Sequence, residues 1–103
     1  MEVNDKDQRR AQRSALLLEV TFEGAGVRTE TRISDISVSG IYIETVSQVP
    51  LGSSLKLAFT LPDGHVVRTE GVVAHTQART GIGVRFTDLD PEDELHIRKV
   101  IHE

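Results

Sequence analysis

The sequence contains no cysteine and no tryptophan, and aromatic residues account for only 4% of its 103 residues. Without cysteine the chain can form neither a disulfide framework nor a thiolate metal site. Its longest uninterrupted apolar run covers residues 15–18, far short of the roughly 20 residues needed to span a bilayer. The first seven residues are mostly polar and acidic, whereas a secretory signal begins with a basic stretch followed by an apolar one. Together these absences predict one small cytoplasmic domain.

The chain also lacks an excess of positive charge. Its net charge of -4 argues against broad binding to nucleic acids, because such binding depends on cationic groups. A nucleic-acid-binding barrel would in addition present basic and aromatic side chains on its sheet. The three phenylalanines instead fall at positions where apolar residues alternate with polar ones, which predicts that they face the core. Arg9, Arg10 and Arg13 nevertheless lie close together, so a local anion site is compatible with the acidic balance.

Apolar and polar residues alternate with a period of two along most of the chain, which is typical of half-buried strands. The alternation predicts six strands, at residues 16–22, 27–33, 41–44, 55–61, 66–75 and 81–86. Gly24 and Gly26 predict the first turn, and residues 62–64 (Pro-Asp-Gly) predict a tight hairpin turn. Gly71 interrupts the fifth strand and predicts a bulge or sharp bend there.

The last segment has the features of a helix. Asp90 is expected to cap it and Pro91 to occupy its first position. Its apolar stripe consists of Leu95, Ile97, Val100 and Ile101. Six short strands and one helix around a single core predict a mainly β fold, a six-stranded antiparallel β-barrel with a C-terminal α-helix, because closure removes exposed sheet edges. We assign residues 14–103 to this barrel and residues 1–13 to a flexible N-terminal arm.

Two short motifs stand out in this pattern. Arg9 and Arg13 form R-x-x-x-R before the first strand, and Asp35, Ser37 and Gly40 form D-x-S-x-x-G between the second and third strands. Taken singly, each has an ordinary explanation, namely solvated arginines in a tail or a side-chain-capped turn between strands. The same arginine spacing recurs at residues 28 and 32, where it predicts only an exposed strand face. The order of the two motifs on this strand pattern is what favours ligand binding.

The two motifs, the strand at residues 81–86 and the closing helix together resemble the PilZ domain family over about residues 8–103. The resemblance implies a split barrel that binds the bacterial second messenger cyclic di-GMP. It also implies that the arginine arm folds over the ligand against the outer surface of the barrel. One departure is Ser39, which stands where many members carry a second glycine, while the required Gly40 is kept.

The resemblance assigns the ligand to seven residues: Gln8, Arg9, Arg10, Arg13, Asp35, Ser37 and Gly40. The arginines Arg9 and Arg13 are expected to contact guanine and phosphate, with Arg10 and Gln8 as auxiliary contacts. This suits the chemistry, because arginine presents a rigid fork of donors that matches phosphate oxygens and the O6/N7 edge of guanine.

The D-x-S-x-x-G residues are expected to complete the site. Asp35 would accept hydrogen bonds from the N1–H and N2–H₂ groups of a guanine, a direction that only an acceptor can serve. Ser37 would offer its hydroxyl to phosphate or base. Gly40 would let the ligand or the arm approach the backbone closely, or would supply a turn with positive φ.

The resulting prediction is a receptor and not an enzyme. The sequence has no glycine-rich phosphate loop, and no serine, histidine and acid are placed as a nucleophile with its base. No metal or cofactor is expected, because His96 and His102 lie six positions apart and do not share a helix face. We expect cyclic di-GMP and an unidentified downstream protein as partners, with no nucleic acid and no membrane insertion. The alternative is a PilZ-like protein–protein interaction module that does not bind cyclic di-GMP.

Overall fold

A computed structural model describes residues 18–101 of the chain. The elements within this range are β1 (Leu18–Gly24), β2 (Val27–Ile36), β3 (Gly40–Glu44), β4 (Ser54–Thr60), β5 (Val66–Gln77), β6 (Gly81–Phe86) and one helix, α1 (Pro91–Ile101). Over the same residues, no helix combines the length and the apolar character needed to cross a membrane.

The strands close into a barrel in the order β1-β2-β3-β6-β5-β4. All neighbouring strands are antiparallel, and β1 closes the barrel against β4, with Val20 opposite Phe59 and Phe22 opposite Leu57. Closure pairs the backbone groups that an open sheet would leave at its edges. The prediction of a six-stranded antiparallel barrel with a C-terminal helix is confirmed.

The barrel interior is filled by the inward half of each alternating strand. Phe22, Ile33, Ile43 and Val67 are fully buried. All three phenylalanines lie in this core, where the rings of Phe59 and Phe86 stack with their centroids 6.3 Å apart. Because the phenylalanines face inward, they are not a base-stacking platform on the outer sheet, which weighs further against a nucleic-acid-binding barrel.

The first hairpin is tighter than the glycine pattern suggested. Ala25 and Gly26 alone form the turn, with φ values of 51° and 78°. Two consecutive positive φ values are typical of a type I′ turn, whose twist matches that of the flanking strands. Such a turn requires both strands to run up to it, so β1 continues to Gly24, two residues further than its predicted end.

Gly71 does not form the predicted bulge. It stays in register opposite Leu55 and Phe86, and the irregularity of β5 lies beyond it, between Val73 and His75. A Cβ at Gly71 would lie 2.6 Å from Cγ1 of Val84. The glycine therefore permits close packing of β5 against β6, and the expectation of a bulge at this position was wrong.

Helix α1 begins as predicted. The Asp90 side chain accepts a hydrogen bond from the Glu92 backbone N–H at 2.8 Å, and Pro91 occupies the first helical position. The predicted apolar stripe is correct at Ile97, which is fully buried, but wrong at Leu95, which is 53% exposed. Asp93 takes the inward position instead, because residues four apart share a helix face.

Substituting Ile97 should therefore destabilise the barrel far more than substituting Leu95. Ile97→Ala removes a fully buried side chain and should lower the free energy of unfolding by about 2–4 kcal/mol. Leu95→Ala on the same helix should change it by less than about 0.5 kcal/mol, because that side chain is mostly solvated. Urea denaturation followed by circular dichroism measures both, and equal losses would contradict this packing of α1.

Candidate ligand-binding site

The D-x-S-x-x-G residues form a fixed corner between β2 and β3. The Ser37 N–H donates to the carbonyl oxygen of Gly40 at 2.9 Å, which closes a short connection with Val38 and Ser39 at its tip. Val38 is partly buried against the core. The Phe86 N–H donates to the carbonyl oxygen of Ser39 at 2.9 Å and so ties the tip to the end of β6. The corner is thus built into the barrel before any ligand arrives.

A register shift turns Asp35 outward. Strict alternation from the buried Ile33 would place Asp35 on the inner face, but the pairing of β2 with β3 slips between these two residues. As a result Ile36 is buried and Asp35 is exposed. Such bulges commonly re-aim a side chain next to a functional site. Oδ1 of Asp35 accepts a hydrogen bond from the Ile36 N–H at 2.9 Å, so the carboxylate is held in place at the surface.

The two serines of the corner share a hydrogen bond. Their hydroxyl oxygens lie 2.9 Å apart, and the Ser39 N–H donates to Oγ of Ser37 at 3.2 Å. Ser39 stands at the position where the sequence departs from the family pattern, and its side chain is thus a direct partner of Ser37. A ligand phosphate that accepts from the Ser37 hydroxyl would take the hydrogen that Ser39 or the Gly40 carbonyl oxygen, 3.4 Å away, can otherwise accept.

Gly40 is required by the neighbouring strand. It lies opposite Arg85 of β6, and a Cβ at Gly40 would overlap the carbonyl oxygen of Val84. Its φ is not positive, so the expected turn with positive φ is not formed, and that alternative was wrong. The backbone that approaches Gly40 closely is that of β6. The expected contact between Gly40 and a ligand stays a prediction.

Asp35 begins a cross-strand row on the outer face. Its register partner is Tyr42, whose partner on β6 is Gly83, which in turn lies opposite His75 of β5. A Cβ at Gly81 would lie 2.7 Å from Cε2 of Tyr42. The tyrosine ring therefore packs directly on the backbone of Gly81. The row offers an aromatic ring and flat backbone next to a carboxylate, a combination suited to a planar base.

Tyr42 and Arg85 are candidate ligand contacts that the sequence pattern did not identify. The Tyr42 hydroxyl donates to Oε1 of Gln77 at 3.1 Å, which restrains its ring. Arg85 is exposed and pairs with Gly40, and its cation suits a phosphate. Only the register across β2, β3 and β6 could have revealed these neighbours, because they are far from the motif in the sequence.

Gln8, Arg9, Arg10 and Arg13 lie outside the described residues, but the point where their segment joins the barrel is known. Leu18 at the start of β1 lies opposite Ile33, two residues before Asp35. An extended chain spans at most about 3.3–3.6 Å per residue, so Arg13 can lie up to about 17 Å from Leu18. Ile33 lies about 5 Å across the sheet from Leu18 and Asp35 about 7 Å further along β2, so Asp35 is within this reach.

A large groove on the outer face of the barrel lies away from the corner. Its volume is about 950 Å³, and it follows the outer faces of β1, β2, β4 and β5, with Arg32 and Arg68 among its lining residues. Asp35, Ser37 and Gly40 do not line it. This groove is therefore separate from the D-x-S-x-x-G corner.

Comparison with known families gives one assignment. The model of the family described as PilZ domain matches residues 7–103. That range includes the arginine segment, the corner and α1. No curated protein matches the chain.

Three solved structures are similar to this chain at low sequence identity. Bacillus subtilis inhibitor of motility (MotI/DgrA) has a TM-score of 0.70 and 20% identity, over 84% of this chain and 46% of its own length. The PilZ domain of CeSA from a cellulose-synthesizing bacterium has a TM-score of 0.63 and 13% identity, over 84% of this chain and 90% of its own length. Borreliella burgdorferi PlzA in complex with c-di-GMP has a TM-score of 0.59 and 15% identity, over 81% of this chain and 32% of its own length. The chain thus spans less than half of MotI and about a third of PlzA, and these likenesses show the fold.

The glycine at the corner should be essential for stability. Gly40→Ala places a methyl group against the β6 backbone, which cannot easily yield, and should lower the free energy of unfolding by about 2–3 kcal/mol. Gly83→Ala on the same sheet is the matched control, since its nearest contact is the His75 Cβ at 3.3 Å. It should cost less than about 1 kcal/mol. Urea denaturation compares the two, and a Gly40→Ala protein as stable as the control would refute the close approach.

Proposed function

The chain belongs to the PilZ domain family, and on that premise we propose that it is a cytoplasmic, non-enzymatic receptor for cyclic di-GMP that signals to a partner protein. The observation that carries the proposal is the outward position of Asp35. Its carboxylate is held at a rigid corner, beside the end of the barrel where the arginine segment joins β1. A fixed acceptor and nearby arginines are the groups that a guanine dinucleotide requires.

In this proposal the Asp35 carboxylate recognises the guanine base. The N1–H and N2–H₂ groups of guanine are parallel donors, and an ionised carboxylate offers two acceptor oxygens to them. Adenine lacks this donor pair, so the same contact discriminates against cyclic di-AMP. The neighbouring Tyr42 ring and the flat surface at Gly83 would lie beside the bound base.

Arg9 and Arg13 supply the complementary charge. Their guanidinium groups would bind the two phosphates and the O6/N7 edges of guanine, with Arg10 and Gln8 as auxiliary contacts. The ligand's two negative charges offset the repulsion among the arginines and thereby order residues 8–13 across the corner. Ser37 would add a hydroxyl once its contact with Ser39 is exchanged.

Ordering of this segment is the proposed signal. It would place a new surface beside β2 and β3, which a partner protein could recognise. Two of the similar structures support a regulatory role, since one is an inhibitor of motility and another was solved with c-di-GMP.

The alternative is an interaction module that does not bind cyclic di-GMP. One observation favours it: the Ser37 hydroxyl already has a partner in Ser39, and Oδ1 of Asp35 has one in the Ile36 N–H. Such a module would give no heat on addition of the ligand and would bind its partner equally well without it.

Isothermal titration calorimetry tests the receptor directly. The protein should bind cyclic di-GMP with a Kd in the micromolar range or tighter, about 8 kcal/mol or more. Asp35→Asn keeps the shape and the Ile36 contact but turns a donor toward the guanine donors, so it should weaken binding at least tenfold. Arg13→Ala should do the same by removing a charge-assisted contact.

The second R-x-x-x-R pair provides the control. Arg28 and Arg32 have the same spacing as Arg9 and Arg13 but lie exposed on β2. Arg28→Ala combined with Arg32→Ala removes the same charge as a double substitution in the arm and should leave the Kd within about twofold. Tight binding that survives Asp35→Asn and Arg13→Ala, or that is lost in the control, would exclude the proposed site.

A further inference from the structure

Two histidines far apart in the sequence meet where α1 begins. His65 lies at the end of the β4–β5 turn and His96 on the second turn of the helix, and their rings stack with centroids 3.8 Å apart and planes within 1°. Glu92 lies one helical turn before His96, at the i, i+4 spacing that puts two side chains on one helix face. One ligand atom from each of these three residues lies within 4.8 Å of the other two.

Both imidazoles are oriented by carboxylates. Nε2 of His65 lies 2.6 Å from Oδ1 of Asp93, and Nδ1 of His96 lies 2.7 Å from Oδ2 of Asp63. The other carboxylate oxygen of Asp63, Oδ1, accepts a hydrogen bond from the His65 backbone N–H at 2.9 Å, so this side chain contacts both histidines. These contacts use one nitrogen of each ring and leave Nδ1 of His65 and Nε2 of His96 for another partner.

The two imidazole–carboxylate contacts are of the kind that metal-binding histidines make. A histidine ligand almost always donates its second ring N–H to a carboxylate or carbonyl, which fixes the tautomer and the ring orientation. Two imidazoles and one carboxylate form a ligand set that suits Zn²⁺, with the fourth position left to water. The surrounding carboxylates of Asp63 and Asp93 add the negative charge that attracts a cation.

We propose that His65, Glu92 and His96 bind a divalent transition metal ion of the Zn²⁺ class and fasten the first turns of α1 to the β4–β5 turn. Tetrahedral coordination with Zn–N near 2.0–2.1 Å brings ligand atoms to about 3.4 Å from one another. Because the metal ion must lie near the plane of each imidazole, binding requires the stacked rings to tilt apart by tens of degrees and the exposed Glu92 side chain to rotate toward them. The inference does not depend on cyclic di-GMP, since none of these residues belongs to the proposed nucleotide site.

No metal was predicted from the sequence, because His96 and His102 lie six positions apart and do not share a helix face. His65 lies in the connection between β4 and β5, and no local sequence pattern relates it to α1. Strand pairing and the docking of Ile97 bring the turn and the helix together.

Calorimetry with ZnCl₂ on the full chain tests the site. We expect one Zn²⁺ per chain with a Kd in the micromolar range or tighter, and a rise in Tm on the order of 10 °C at a hundredfold excess over Kd. Glu92→Gln, His65→Asn and His96→Asn should each weaken binding at least tenfold. Glu92 is exposed and makes none of the hydrogen bonds that hold the two rings. Glu92→Gln should therefore keep the fold, so that any loss of Zn²⁺ affinity reports the role of Glu92 as a metal ligand.

A matched histidine and a second metal complete the experiment. His75 is exposed on β5 and is not one of the proposed ligands, so His75→Asn should leave the Zn²⁺ affinity unchanged. Co²⁺ should give the intense visible absorption of a four-coordinate site, and Glu92→Gln should abolish it. The proposal is overturned if the wild-type protein binds no Zn²⁺, if binding survives all three ligand substitutions, or if His75→Asn abolishes it.

Discussion

The register shift in β2 decides which side chain the barrel presents to solvent between Ile33 and Ile36. It buries both Ile33 and Ile36, three residues apart in one strand, and so turns the intervening Asp35 toward solvent. Without the shift, alternation would direct the carboxylate into an apolar core, where an unpaired charge is not tolerated. The close backbone approach of Gly40 to β6 then holds the corner in place. Fold stability and the exposed acceptor thus depend on the same few residues.

In the proposed receptor, recognition is divided between a rigid part and a segment that precedes it in the chain. The corner would present the acceptors, and the arginines upstream of β1 would supply the donors and the positive charge. Such a division suits a receptor, because ligand binding then rearranges chain outside the barrel and leaves the core intact. The histidine cluster at α1 is built on the same principle, with long-range contacts assembling a site from residues that no local pattern connects.

Local patterns were sufficient to predict most of the fold, and long-range pairing accounts for what they missed. Period-two alternation located every strand, and the Asp90–Pro91 start of α1 was correct because capping depends on neighbouring residues alone. The bulge was misplaced at Gly71 because a glycine in a strand marks either a bulge or a close approach, and only the pairing distinguishes them. The outward turn of Asp35, its neighbours Tyr42 and Arg85, and the pairing of His65 with His96 all depend on register or docking.

An amide NMR titration with cyclic di-GMP, with cyclic di-AMP as the control, shows whether the corner and residues 8–13 bind the same ligand. Saturable shifts are expected at residues 35–40, at Tyr42, Gly83 and Arg85, and at residues 8–13, and no such shifts are expected with cyclic di-AMP. Shifts confined instead to the groove at Arg32 and Arg68, or shifts at the corner that leave residues 8–13 unchanged, would contradict the proposed receptor site.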